Sequence, residues 1–147
     1  MAILRDALKT FLAADETLSG LLPGGVLDIN ELPQTDYGLT NVPRSGAVIS
    51  PFAVIRWRGT VGKEIIGLTE RRTVEIYVYE ARRGYAIIEQ AKRRIKTILN
   101  RTQIQADDAG IAMFHWQTSG GLFPAQELNG ASGEMIRYYV DYEVIDS

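Results

Sequence analysis

The sequence predicts an α+β fold: a two-layer sandwich, with a mostly antiparallel sheet of about four to five strands and two main helices packed on one face. Three stretches carry this. "RRTVEIYVYEARRGYAIIEQAKRRIKTIL", Arg71 to Leu99, alternates apolar and polar residues at first and then repeats them at helical spacing. Near the N-terminus, Ile3, Leu4, Ala7, Leu8, Phe11 and Leu12 recur on one helical face. The closing stretch "IRYYVDYEVID" alternates over its whole length.

In chain order, Ala2 to about Ala13 reads as an amphipathic helix, with Arg5, Asp6, Lys9 and Thr10 on its polar side. Asp15 is placed to cap a second short helix through Leu21, which Gly20 and Pro23 bring to an end. "GGVLDI" follows as a short strand. Residues 30–50, with two prolines and scattered polar side chains, read as a long loop. "PFAVIRWRG" is a strand with Pro51 at its start, and "TVGKEIIGLTE" is a hairpin connection or an extension of the ladder.

From Arg72 to Glu80, Val74, Ile76 and Val78 point one way, and Thr73, Glu75, Tyr77 and Tyr79 the other. The helix from about Arg83 to Asn100 carries Ile88, Ala91, Ile95, Ile98 and Leu99 as its apolar stripe, and Asn100 suits its exit. "IAMFHWQ" is a strand with Ala112, Phe114 and Trp116 on one side. Residues 118–134, rich in glycine, read as a second long loop. The last strand sets Ile136, Tyr138 and Val140 on the core side. The chain of 147 residues is one domain without linker or repeat.

Composition excludes several functions. There is no cysteine, hence no disulfide, thiolate zinc site or cysteine nucleophile, and folding in a reducing cytoplasm is the simplest expectation. The single histidine, His115, rules out metal sites that need two or three. It lies mid-strand with no nucleophile motif beside it. Asp107 and Asp108 lack the spaced oxygen ligands of a calcium loop. The pairs Gly24–Gly25 and Gly120–Gly121 belong to neither a phosphate loop nor a dinucleotide fingerprint. Alternation places Glu75, Asp141 and Glu143 on outward faces, where carboxylates are solvated rather than catalytic. No catalytic, cofactor or metal residue is expected, and no apolar run reaches the roughly 18–20 residues of a membrane span.

A net charge of −2 argues against nucleic-acid binding by bulk charge. Arg71, Arg72, Arg82, Arg83, Lys92, Arg93, Arg94 and Lys96 nevertheless gather half of the 16 Lys and Arg into one strand–helix unit. Such a group is either a patch for phosphates or acidic proteins, or a solvated helix face with strand-end charges. Aromatic residues on the outer sheet face and unpaired sheet edges point to protein contact as the chain's work. The candidate interface residues are Tyr37, Arg71, Arg72, Tyr77, Tyr79, Phe123 and Tyr139.

Taken together, these segments resemble the tail-terminator and tail-completion proteins of long-tailed bacteriophages. The likeness rests on "LRDALKTFLAADETLSGLLPGGVLD", on "PFAVIRW" after a proline-containing loop, on the strand–turn–helix from Arg71 to Leu99, and on the final alternating strand. It implies a non-enzymatic structural protein that forms a ring with copies of itself, usually a hexamer. Such a ring ends the tail tube, meets the tail tube protein on one side and a head–tail connector or stopper protein on the other, and lets genomic DNA pass through its lumen unbound. It implies a place in the virion at the tail–neck junction after synthesis in the host cytoplasm, and no membrane partner. Another neck or head-completion protein, or a non-viral α+β ligand-binding domain, are the alternatives.

Overall fold

The computed structural model describes residues 4–28, 34–35, 38–39, 44–45, 48–65, 69–81, 85–105, 110–125 and 131–144. Helix α1 spans Leu4–Ala13, α2 Glu16–Leu21 and α3 Tyr85–Leu99. Strands β1 (Val26–Asp28), β6 (Phe52–Ile65), β7 (Thr69–Ala81), β8 (Gln103–Gln105), β9 (Gly110–Ala125) and β10 (Ala131–Val144) form one sheet in the order β1-β6-β7-β10-β9-β8. Between β1 and β6 lie β2 (Gln34–Thr35) with β3 (Gly38–Leu39), and β4 (Arg44–Ser45) with β5 (Val48–Ile49), as two small hairpins.

The α+β class holds, with three differences from expectation. The main sheet has six strands, and it is mixed because β1 runs parallel to β6 while the other pairs are antiparallel. Residues 30–50 contain four short strands rather than loop alone. Most of residues 118–134 is ladder, since β9 runs to Ala125 and β10 starts at Ala131.

The glycines that look like loop signals mark bulges instead. Glu134 faces Leu122 and Ile136 faces Ser119, so one residue of β10 lies opposite Gly120 and Gly121. Trp57 faces Val74 and Thr60 faces Arg72, so Thr73 lies opposite Arg58 and Gly59. An extra residue bends a strand and increases its local twist, and glycine accommodates this at least steric cost.

The core lies between α3 and the middle strands. Ile88, Ala91, Ile95 and Leu99 of α3 are buried against a sheet face that includes Val74, Ile76, Phe114, Ile136, Tyr138 and Val140. Helix α1 adds Leu8 and Leu12, and it touches β1 and β8, the two edge strands. One helix reaches both edges because the sheet curls around the helical layer. At the exit of α2, Gly25 takes φ 87°, accepts the Ala53 N–H at 3.0 Å, and turns the chain into β1. The exit of α3 uses Arg101 at φ 61°, its N–H bonded to the Phe114 carbonyl at 2.6 Å.

The opposite face is not a solvated or intermolecular surface throughout. Phe52 and Val54 are 0% and 1% exposed, yet they lie outside the helix-side core. Phe52 stacks on Tyr79 with centroids 5.1 Å apart, and β5 packs near β7. The chain covers part of its own second face.

Ile95→Asp places an unpaired carboxylate in the core and is expected to abolish cooperative folding. Ile95→Ala is expected to cost roughly 2–5 kcal/mol in denaturant titration. A melting temperature unchanged in Ile95→Asp would refute this packing.

Candidate functional site

The basic residues of α3 form the chain's densest group of cations, and most of those described have intramolecular roles. Arg94 grips Asp15 with both ends of its guanidinium, Nε to Oδ2 at 2.9 Å and Nη2 to Oδ1 at 2.7 Å. The same carboxylate caps α2, accepting the Leu18 N–H at 2.9 Å. Asp15 thus fixes the α1–α2 corner on α3, and the Arg94 hydrogen bonds hold its pKa below the usual carboxylate value. Lys92 reaches Glu134 at 3.1 Å and Glu89 at 3.3 Å. Burial alone lowers the Lys92 pKa, but the two carboxylates outweigh it and the net shift is upward. Lys96 lies 4.1 Å from the centroid of the Trp116 ring. Of the described basic residues on this helix, Arg93 and Lys96 are exposed. The α3 cations therefore act mainly to join elements of this chain, as a structural helix face does.

Two buried carboxylates lie on the helix side, where the sheet meets the start of α3. Glu80, 3% exposed, accepts the Ile88 N–H at 3.3 Å. Burial raises its pKa, and the hydrogen bonds from Ile88 and Ile87 offset only part of that. A carboxylate at a helix N-terminus meets free N–H groups and the positive end of the dipole. Glu134, 2% exposed, receives Lys92 on Oε1, while its Oε2 is buried without a partner.

On the second face, Glu75 is 1% exposed, contrary to the expectation of a solvated carboxylate. It lies directly across from Arg137 of β10 and Arg56 of β6. Arg137 donates to Oε2 at 3.1 and 2.6 Å, and the Tyr77 hydroxyl donates to Oε1 at 2.9 Å. These contacts engage both carboxylate oxygens and tie Glu75 into the sheet.

The expected interface residues fall in different places. Tyr79 is 4% exposed and stacked on Phe52 and Tyr77, so its ring is occupied within the chain. Tyr77 is half-buried against Glu75. Arg72 and Tyr139 are half-buried on β7 and β10, with Tyr139 across from His115. Arg71 lies opposite Asp141 in the ladder, and Phe123 opposite Gly133. Tyr37, Arg82 and Arg83 lie outside the described residues. Tyr77, Tyr79 and Tyr139 share one face, while Arg71 and Phe123 lie towards opposite ends of the sheet. The large exposed apolar side chains among the described residues are Tyr85 and Trp116, at 42% and 40%. Among the described residues there is also no group of three or more His, Asp or Glu placed to hold a metal.

These features define a small α+β domain with a curled mixed sheet, in which the pairs Asp15–Arg94, Lys92–Glu134 and Glu75–Arg137 tie elements together. No protein-family model matches the chain, and no curated protein matches it. Among solved structures it is similar in fold to a chain of the virion of the native gene transfer agent particle. The TM-score is 0.66 at 14% identity, covering 95% of this chain and 94% of that one. A second solved chain, 13% identical, superposes with a TM-score of 0.63 over 98% of this chain and 96% of its own length.

Arg137→Met removes both guanidinium hydrogen bonds from the buried Glu75 and is expected to cost about 2–3 kcal/mol in denaturant unfolding. Adding Glu75→Gln should recover most of that loss. Asp15 and Glu80 should pull stability in opposite directions with pH. The lowered pKa of Asp15 gives stability that is complete above its unfolded value of 3.8 and is lost as pH falls through the folded value. The raised pKa of Glu80 means that its ionised form costs stability at neutral pH, and the cost fades as pH falls towards 4.5. Glu80→Gln keeps the acceptor for Ile88 and is expected to melt higher than the parent at neutral pH. That advantage should shrink on acidification, and a constant difference across the range would contradict the assignment.

Proposed function

We propose that this protein is a structural component of a bacteriophage-type virion, acting by contact with copies of itself and with other virion proteins rather than by catalysis. The observation that carries this reading is the likeness of fold, over nearly the whole of both chains, to a chain of the gene transfer agent virion. The strand–turn–helix and final-strand patterns support it independently through their resemblance to tail-terminator and tail-completion proteins.

Within that class, the finer reading is a ring at the end of the tail tube. The ring, a hexamer on the family pattern, stops tube growth, joins the tail tube protein to a connector or stopper protein, and sits at the tail–neck junction. The near-neutral, slightly acidic chain, with a net charge of −2, suits a lumen through which DNA passes without adhering. The inward use of Lys92 and Arg94 supports the same view, since it leaves fewer cations on α3 for phosphate.

Electron microscopy of the purified chain, alone and with tail tubes, tests this directly. Rings are expected, either free at high concentration or seated on tube ends. A chain that stays monomeric at every concentration, and beside tail tube protein, would overturn the reading.

A further inference from the structure

The two edges of the main sheet are stepped in complementary ways. On one edge, β1 covers β6 only at Ala53–Ile55, and Arg56–Ile65 has no outer strand among the described residues. On the other edge, β8 covers β9 at Ile111–Met113. Arg101 and Thr102 extend that cover to Phe114, and the Asn100 side chain receives the Trp116 N–H. From Thr118 to Ala125 the outer side of β9 has no described strand.

The ladder registers put these features at fixed levels. Ala53, Val78, Glu134 and Leu122 form one row across the sheet, so Val26 of β1 is level with Leu122 of β9. Asp28 is likewise level with Ser119 through Ile55, Ile76 and Ile136. Gln103, Met113, Asp141, Arg71 and Val61 form another row, so Gln103 of β8 is level with Val61 of β6. Each edge therefore projects where the other recedes.

We infer that copies of this chain join edge to edge, the step of one filling the recess of the next. In this contact β8 lies beside β6 of the neighbour, parallel to it, and the neighbour's β1 lies beside β9, antiparallel to it. The joined surfaces are different, so the contact is heterologous and repeats around a ring. Exposed edges pair with any strand unless blunted. Here the bulges at Gly59 and Gly120–Gly121, and Pro124 on the open stretch of β9, restrict the partner to one whose step fits. The chain itself carries that step. This inference rests on the ring reading and names the surface that builds the ring.

Paired strands lie about 4.7–4.9 Å apart, inside the range a disulfide spans. The chain has no cysteine of its own, so engineered thiols report without background. Gln103→Cys and Val61→Cys are made singly and together, with Lys63→Cys in place of Val61→Cys as a second register, and folding is checked by melting. Under oxidation the double variant should give a ladder of covalent oligomers ending at the copy number of the ring. A mixture of the two single variants should stop at dimers, and each single variant alone should give none. Rings seen by microscopy with no cross-link in either register would overturn this surface and leave the ring reading standing. Dimers from Gln103→Cys alone would show a two-fold contact and overturn the heterologous arrangement. A chain monomeric at all concentrations, and beside tail tube protein, would overturn both.

Discussion

The burial of the α3 stripe against the centre of the sheet is the contact on which the other features depend. Ile88, Ala91, Ile95 and Leu99 lie on one side of a helix that crosses β7, β10 and β9. With that helix in place, Asp15 can be gripped by Arg94, which seats the first two helices, and Glu80 can meet the first turn of α3. Lys92 and Lys96 are carried to Glu134 and Trp116 by the same placement. Each buried aliphatic side chain contributes about 1.5–3 kcal/mol, whereas exposed ion pairs are worth about 0–1 kcal/mol. The apolar contact therefore sets the geometry, and the polar contacts refine it.

Much of this was legible in the sequence because period is a direct image of burial. The alternation at Val74, Ile76 and Val78, the helical repeat at Ile88, Ala91, Ile95 and Leu99, and the cap at Asp15 all appear where the pattern puts them. The glycine-rich stretch after Thr118 was misleading, since glycine marks bulges in long strands as well as loops. Read as a loop, the stretch gives Glu134 no assigned face. Its parity with Ile136 and Tyr138 places it on the core face once the strand is extended backwards. Glu80 shares the parity of Val78 in the same way. The sixth strand, β8, left no signal, because three residues are too short to show a period, and the strand at "GGVLDI" carries nothing that sets its direction parallel to β6.

The candidate interface was harder to read for a physical reason. Alternation states which face of a strand a residue is on, but not what lies above that face. Tyr79 lies on the face away from the helices, as its alternation predicts, and Phe52 and the chain's own fold bury it there. The basic group around α3 shows the same limit. Sequence proximity brings cations together, but pairing with Asp15 and Glu134, distant in sequence, decides their use.

The buried carboxylates carry a cost that hydrophobic packing would avoid. Their placement accounts for it through register. Glu75 faces Arg137 directly, so slipping β7 by one residue against β10 would break this pair. The same slip would send Val74, Ile76 and Val78 away from α3 and turn Glu75 into the core. Glu134 on Lys92 and Glu80 on the start of α3 fix the sheet against the helix in the same way. Register matters beyond stability here. The levels of β1 and β8 on the two edges are transmitted through β6, β7, β10 and β9, and every cross-strand pair that resists slippage also holds those two steps at the heights that the proposed edge-to-edge contact requires.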